Sequence, residues 1–291
     1  MKWRAYLIEP GRHFTLVTLI PVLVGTGVAY YDTHSINVWL FLLTYAVAIA
    51  LQDFTHLTND YFDYRYGTDV PGSPTTKYRR HPIISGDLTL EEVKAESAAL
   101  FLFSLGAGVL LVALGRPLVI PLGLLSAFLC LEYTAPPIKA KYRTMSNLFL
   151  GILEGPLLVL GVFYVQAGYL SWAPVLASLP VALVNTEIHS LGDLKDREFD
   201  ATKGVKTIPV RFGVRFAKAW ATAELISAYL IIPVLVGVHV VPAISLLTFI
   251  TLPVTFLNLL TRLSNVNPHI AVKTGRVSLV FGAVYALSLF F

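Results

Sequence analysis

Apolar runs of about twenty residues recur along the whole chain, and that feature limits the folds open to it. The hydrocarbon core of a bilayer holds no water to satisfy backbone N–H and C=O groups. Runs of this kind therefore cross it as helices. Nine can be read: Phe14–Tyr31, Val38–Asn59, Ser97–Leu114, Leu118–Tyr133, Leu148–Val165, Trp172–His189, Ala219–Val238, Val241–Leu260 and Ala271–Phe291. Composition agrees, with 55% hydrophobic and only 14% charged residues, where soluble domains run near a quarter charged. The first run follows Lys2, Arg4 and Arg12 as a signal peptide would, but no clear small-residue cleavage site follows it. The single cysteine, Cys130, excludes an intramolecular disulfide and a cysteine-based metal site. The expected fold class is all-α, a polytopic membrane protein with nine transmembrane helices.

Charge orients this array. With the N-terminus inside, every one of the 22 Lys and Arg residues except Arg116 falls on the inner side. A wrong helix count would break the alternation, so the bias supports the nine-span reading as well as the orientation. It predicts a protein of the cell membrane with the N-terminus cytoplasmic and the C-terminus outside. The net charge of +4 follows the membrane and is no sign of a nucleic-acid partner.

Two inner loops are long, and they match. Gln52, His56, Asp60 and Asp63 align with Asn185, His189, Asp193 and Asp196 at an offset of 133 positions. Further on, Pro82-Ile-Ile-Ser-Gly86 is similar to Pro209-Val-Arg-Phe-Gly213. The unit is four helices, an even number, so both copies point the same way: a parallel repeat about an axis along the membrane normal. The expected architecture is one transmembrane domain over residues 1–291, built from two four-helix halves and a ninth helix. The first half covers about 1–136 with an Asp-rich loop at 59–96. The second covers about 137–291 with an Asp-rich loop at 189–218.

Chemistry is concentrated where those loops begin. His56, Asn59, Asp60 and Asp63 recur at helical spacing and share one face, and Asp69 follows. His189, Asp193, Asp196 and Asp200 form a second stripe. Ionised carboxylates near membrane depth cost roughly 2.5–3.5 kcal/mol each at a helix centre and less near the interface. Two such stripes call for a cation, and Mg²⁺ bound by carboxylates together with substrate phosphates meets that need. Lys77, Arg79, Arg80, Lys203 and Lys206 stand close enough in sequence to contact phosphate oxygens. The plainer alternative is solvated helix ends, but it has to explain two clusters at matching positions. Tyr133 and Lys139 either line the same cavity or belong to an interfacial belt. Arg12 either reaches phosphate or anchors the first span. Asp53, Glu132, Glu154, Glu187 and Glu224 lie within or beside spans, and the sequence does not rank them. No P-loop, HExxH or Ser/His/Asp signature is present.

Asn59-Asp-x-x-Asp63 with Asp69, Asp196-x-x-x-Asp200, the tract Lys203-Gly-Val-Lys-Thr-Ile-Pro-Val-Arg-Phe-Gly213, His81-Pro-Ile-Ile-Ser-Gly86 and Arg12-x-x-Thr15 together resemble the UbiA-type membrane prenyltransferase superfamily. The resemblance covers nearly the whole chain. It implies a nine-helix fold, a prenyl diphosphate donor, Mg²⁺ dependence and a lipophilic product. It carries Asn59, Asp60 and Asp63 over as first-motif metal ligands and Asp196 and Asp200 as second-motif ligands. Asp69 and Asp193 join them, although their spacing varies among branches. The Asn59–Asp69 stretch resembles the menaquinone-pathway branch, whose acceptor is a dihydroxynaphthoate. The His81–Gly86 tract is closer to the hydroxybenzoate and archaeal glycerol-phosphate-ether branches.

The expected reaction is Mg²⁺-dependent transfer of a prenyl group to an aromatic quinone precursor, with release of diphosphate. The alternative within the class is geranylgeranyl transfer to a glycerol-phosphate ether lipid. From a different class, an ion-coupled transporter would also carry internal repeats and intramembrane acids. Against it, the acid stripes sit at one face and run into long loops, whereas carrier sites lie at the midplane. The partners expected are the donor, a lipophilic or aromatic acceptor and membrane lipid.

Overall fold

The computed structural model describes residues 15–266 and 270–291, and within these the ordered elements are helices. They are α1 (Thr15–Thr33), α2 (Val38–Arg65), α3 (Pro74–Tyr78), α4 (Leu90–Ala113), α5 (Val119–Glu132), α6 (Ser146–Ile152), α7 (Leu158–Ala167), α8 (Ala173–Ala177), α9 (Leu179–Thr202), α10 (Ile208–Phe212), α11 (Val214–Gly237), α12 (Leu252–Ser264) and α13 (Ile270–Ser288). A 3₁₀ turn covers Ala140–Arg143, a π segment Leu153–Leu157 joins α6 to α7, and a 3₁₀ stretch Ala243–Thr251 leads into α12. Arg12 and the first residue of the expected opening span lie outside the described residues.

Among the described residues nine helical stretches appear where nine were expected, but their ends differ. Six are long and apolar enough to cross a membrane: α1, α2, α4, the α6–α7 stretch, α11 and the 3₁₀–α12 stretch. Helix α5 is apolar but has only 14 residues. Helix α9 carries Glu187 in its first half and four further acids in its second, and α13 carries Lys273 and Arg276 near its start. Large apolar side chains such as Leu230, Val234 and Leu257 stand more than 60% exposed. On a soluble protein such surface would be an association site, and here it is the face toward lipid.

The main corrections concern the two Asp-bearing loops. Helix α2 was expected to stop at Asn59 and runs to Arg65, and the helix expected to stop at His189 runs to Thr202. Asp60, Asp63, Asp193, Asp196 and Asp200 therefore project from helix and not from loop. Hydropathy marks where a helix leaves lipid, whereas backbone hydrogen bonds continue until the chain is stopped. The stop in each case is a glycine with positive φ, Gly67 at +70° and Gly204 at +71°. At its start α4 gains a turn and more over the expected Ser97, because Thr89 and Glu92 close a capping box.

The core runs through α1, α7, α9, α11 and α13, with Val24, Phe163, Val184, Leu225 and Phe281 buried together. Helix α2 packs along α4, and α9 along α11. At Gly155 the backbone of the π segment lies so close to α9 that an added Cβ would stand 2.4 Å from the Cβ of Ala182. Small residues at a crossing of this kind let two backbones approach.

Candidate active site

Both Asp-bearing helices face one cavity of about 300 Å³. Asn59 and Asp69 line it from the α2 side, and Asp193, Asp196 and Asp200 line it from α9. Thus the structure brings together two stripes that are over 120 residues apart in the chain. Helix periodicity puts each stripe on one face, and the packing turns those faces toward the same space.

Asp63 is fully buried and heavily partnered. It accepts from Asn59 Nδ2 at 3.0 Å, from the Tyr142 hydroxyl at 2.6 Å, and from the Lys141 ammonium. Asn59 Nδ2 also donates to Thr134 Oγ1 at 2.8 Å, which fixes its amide. Beyond the helix stop, Thr68 N and Asp69 N turn back to the carbonyl of Asp63 at 2.9 and 3.1 Å. Val205 N makes the matching bond to the carbonyl of Asp200 at 3.0 Å. Read from these stops, the two helices correspond at the spacing of Gly67 and Gly204, one turn beyond the register seen in the sequence. Asn59 then pairs with Asp196 and Asp63 with Asp200.

That register leaves Asp60 out, and its surroundings agree. Asp60 is fully buried and gripped by the two terminal nitrogens of Arg79, one of them at 2.9 Å. His81 Nε2 lies 3.8 Å from Asp60 Oδ1 and 3.4 Å from Asp69 Oδ2. Asp60, Asp69 and His81 make a compact buried group of potential metal ligands. Burial works to raise the Asp69 carboxyl, but the His81 imidazole beside it and the charges of Lys141 and Arg79 outweigh it and hold it at about 2. Burial also works against the Lys141 ammonium. Asp63 and further anionic neighbours overcome it, and the Lys141 pKa stands well above the usual lysine value.

The remaining sequence candidates divide. His56, Arg79, Tyr133 and His189 line the cavity. Lys77 and Lys206 are exposed and do not. Lys203 donates to the carbonyl of Gly67 at 2.7 Å, tying the end of α9 to the end of α2. Lys139 packs its ammonium 3.7 Å from the centre of the Tyr66 ring, and it is Lys141 that reaches the site. Glu154, unranked from sequence, is on the cavity wall, while Glu187 and Glu224 are buried away from it. Tyr142, Thr134 and Lys141 went unnoticed because no periodicity marks a turn between two spans.

The all-helical fold and the acid-lined cavity define a class, an integral membrane protein with a polar cavity at the ends of two helices. The chain belongs to the UbiA prenyltransferase family, whose model matches residues 18–285, and it is an enzyme of that family. It is 28% identical over 281 residues to UbiA prenyltransferase domain-containing protein 1 of Xenopus tropicalis, covering 94% of this chain and 77% of that one. It is 27% identical over 223 residues to 1,4-dihydroxy-2-naphthoate octaprenyltransferase of Bacillus subtilis (strain 168), covering 75% and 69%. The fold is similar to that of a UbiA homolog from Archaeoglobus fulgidus bound to GPP and Mg²⁺, with a TM-score of 0.68 at 18% identity, covering 100% of this chain and 99% of that one.

Proposed function

We propose that this enzyme transfers a prenyl group from a prenyl diphosphate to an aromatic quinone precursor, at the cytoplasmic mouth of the Asp-lined cavity. The observation carrying this reading is the convergence of Asn59 and Asp69 with Asp193, Asp196 and Asp200 on one cavity whose deeper wall is apolar. Ala48, Leu51, Leu150 and Leu158 line that deeper part. A prenyl tail fits there, since burying each CH₂ is favourable by about 0.8 kcal/mol.

The donor atoms fit Mg²⁺. They are carboxylate and amide oxygens, the hard ligands this ion takes. Asp193 Oδ2 is buried with no hydrogen-bond partner among the described residues, a group that a cation would satisfy. Asn59, Asp63, Asp69, Asp193, Asp196 and Asp200 would hold the metal, with Asp60 set back behind Arg79. When bound, Mg²⁺ neutralises charge growing on the departing diphosphate. Lys141 and Arg79, on the cavity wall, add positive charge on the same side. The buried bonds to Asp63 hold its carboxylate in one orientation, so little reorganisation remains when the donor arrives. Tyr133 presents an aromatic face to an allylic cation, and the apolar wall keeps water from it.

Architecture and orientation belong to the same reading. The paired helix stops, and the packing of α2 with α4 and of α9 with α11, support two four-helix halves in parallel repeat plus a ninth helix. The distribution of the basic residues supports a cytoplasmic N-terminus and site and an outside C-terminus. The acceptor alternative is a glycerol-phosphate ether lipid. Purified protein given radiolabelled geranylgeranyl diphosphate, Mg²⁺ and each of 1,4-dihydroxy-2-naphthoate, 4-hydroxybenzoate and geranylgeranylglyceryl phosphate tests the reading. Transfer to a naphthoate or benzoate is the expected result. Transfer to the glycerol ether alone would replace the acceptor class, and transfer to none would overturn the reading.

A further inference from the structure

Besides Cys130 and Tyr133, three titratable side chains line the cavity below the Asp stripes, and none of the three has metal or diphosphate to bind in the reading above. They are His56 on α2, Glu154 on the π segment and His189 on α9. His56 stands three residues before Asn59, and His189 four before Asp193. At 1.5 Å rise per residue that places them about 4.5–6 Å deeper than Asn59 and Asp193, roughly one helical turn. A donor whose diphosphate sits among the carboxylates has its reacting carbon at that depth. The acceptor must meet it there.

His189 Nε2 lies 3.6 Å from Glu154 Oε1, with both side chains about one-third exposed, toward the cavity they line. The pairing depends on an irregularity in the chain. Gly155 has non-helical angles of φ −112° and ψ −106°, and the wider π turn around it places Glu154 toward α9. An anionic Glu154 favours the imidazole tautomer with its proton on Nε2, which leaves the lone pair on Nδ1.

We propose that His189 is the general base that takes the acceptor's proton, with Glu154 as its positioning residue. The inference rests on the transfer reaction proposed above. In the step, the allylic C1–O bond breaks and its electron pair leaves with the diphosphate. An electron pair of the acceptor forms the new bond to C1. The proton displaced from the acceptor's hydroxyl or ring carbon goes to His189 Nδ1. The site needs such a base for any acceptor that reacts through a hydroxyl or a ring C–H, because each of these loses one proton. Other charged groups bearing on His189 are His56 from α2, Asp193 from its own helix and Glu224 from α11. His56 in turn also lies near Asp60 and Arg79.

The test separates donor binding from transfer in detergent-purified H189Q and E154Q. Binding of geranyl diphosphate with Mg²⁺ should stay within about twofold of wild type in both, which also shows that they fold. Transfer to whichever of the three acceptors the wild type uses should fall about 10²–10⁴-fold in H189Q. Loss in E154Q should be smaller, and the acidic limb of its pH–rate profile should move to lower pH, because the anion that favours the imidazolium is gone. Should H189Q fail to purify, the limb in E154Q decides. Wild-type transfer by H189Q, or parallel loss of donor binding and transfer, would overturn the base assignment, as would an unmoved limb in E154Q. A wild type that transfers to none of the acceptors instead overturns the reaction reading.

Discussion

At the scale of single residues, Asp60 and Asp63 are three positions apart and have different tasks in the proposed reading. Both are fully buried, Asp63 held by Asn59, Tyr142 and Lys141 and Asp60 by Arg79. Asp63→Ala and Asp200→Ala should each lower turnover by several orders of magnitude. The double variant should be little worse than either, because losing one half already misplaces the donor. The four rates of that cycle check this, and mild additive losses would mean two independent solvated acids. Asp60→Ala should act mainly on stability. It removes the carboxylate that the half-buried Arg79 guanidinium grips, at a cost of about 1.5–3 kcal/mol, read as a fall in Tm of the metal-free protein. The sequence showed every acid of the site but not this division. Spacing places Asp60 and Asp63 on one face, and only the return of the chain after Gly67, which brings Arg79 and His81 back, tells them apart.

Among elements, the π segment between α6 and α7 does most to shape the cavity wall. Hydropathy shows one apolar run there, interrupted at Glu154, Gly155 and Pro156. The count of nine stretches was legible because lipid selects for apolar length. Their ends were not, since capping and glycine stops decide them. Gly155→Val would drive a side chain into Ala182 and push the segment off α9. We expect a loss of stability of about 1–3 kcal/mol, with transfer falling further than thermal stability explains because Glu154 moves with the segment. Away from the cavity, Asn147, Ser190 and Trp220 serve Glu224. Ser190 Oγ donates at 2.7 Å and Trp220 Nε1 at 2.7 Å. Ser190→Val removes one of these donors in a buried setting and should cost about 1–3 kcal/mol, measured by thermal unfolding with donor affinity unchanged.

For the whole molecule, the basic residues and the helix array make a joint statement about sidedness. Cysteines introduced in a Cys130→Ala background at Asp32–Asn37 and Ala167–Ser171 should label from outside, and those at Lys77–Arg80 and Lys203–Lys206 from inside. Reversed labelling would invert the topology. In the proposed repeat the side chains pair Asp63 with Asp196, whereas the glycine stops at Gly67 and Gly204 pair it with Asp200, because side-chain matching cannot detect where two helices stop.

The length of α2 carries a consequence of its own. Its 28 residues span about 42 Å, while the hydrocarbon layer is about 30 Å thick. Roughly eight residues are left over, about the stretch from Thr58 to Arg65, and the carboxylates hang on that surplus. The helix therefore works as a gauge rod, setting the height above the lipid at which a water-soluble headgroup meets an oil-soluble tail. A rod of fixed length reads differently against layers of different thickness. In vesicles of longer-chain lipids the acids would sink toward the hydrocarbon and become costlier to keep charged, and turnover should fall as acyl length rises.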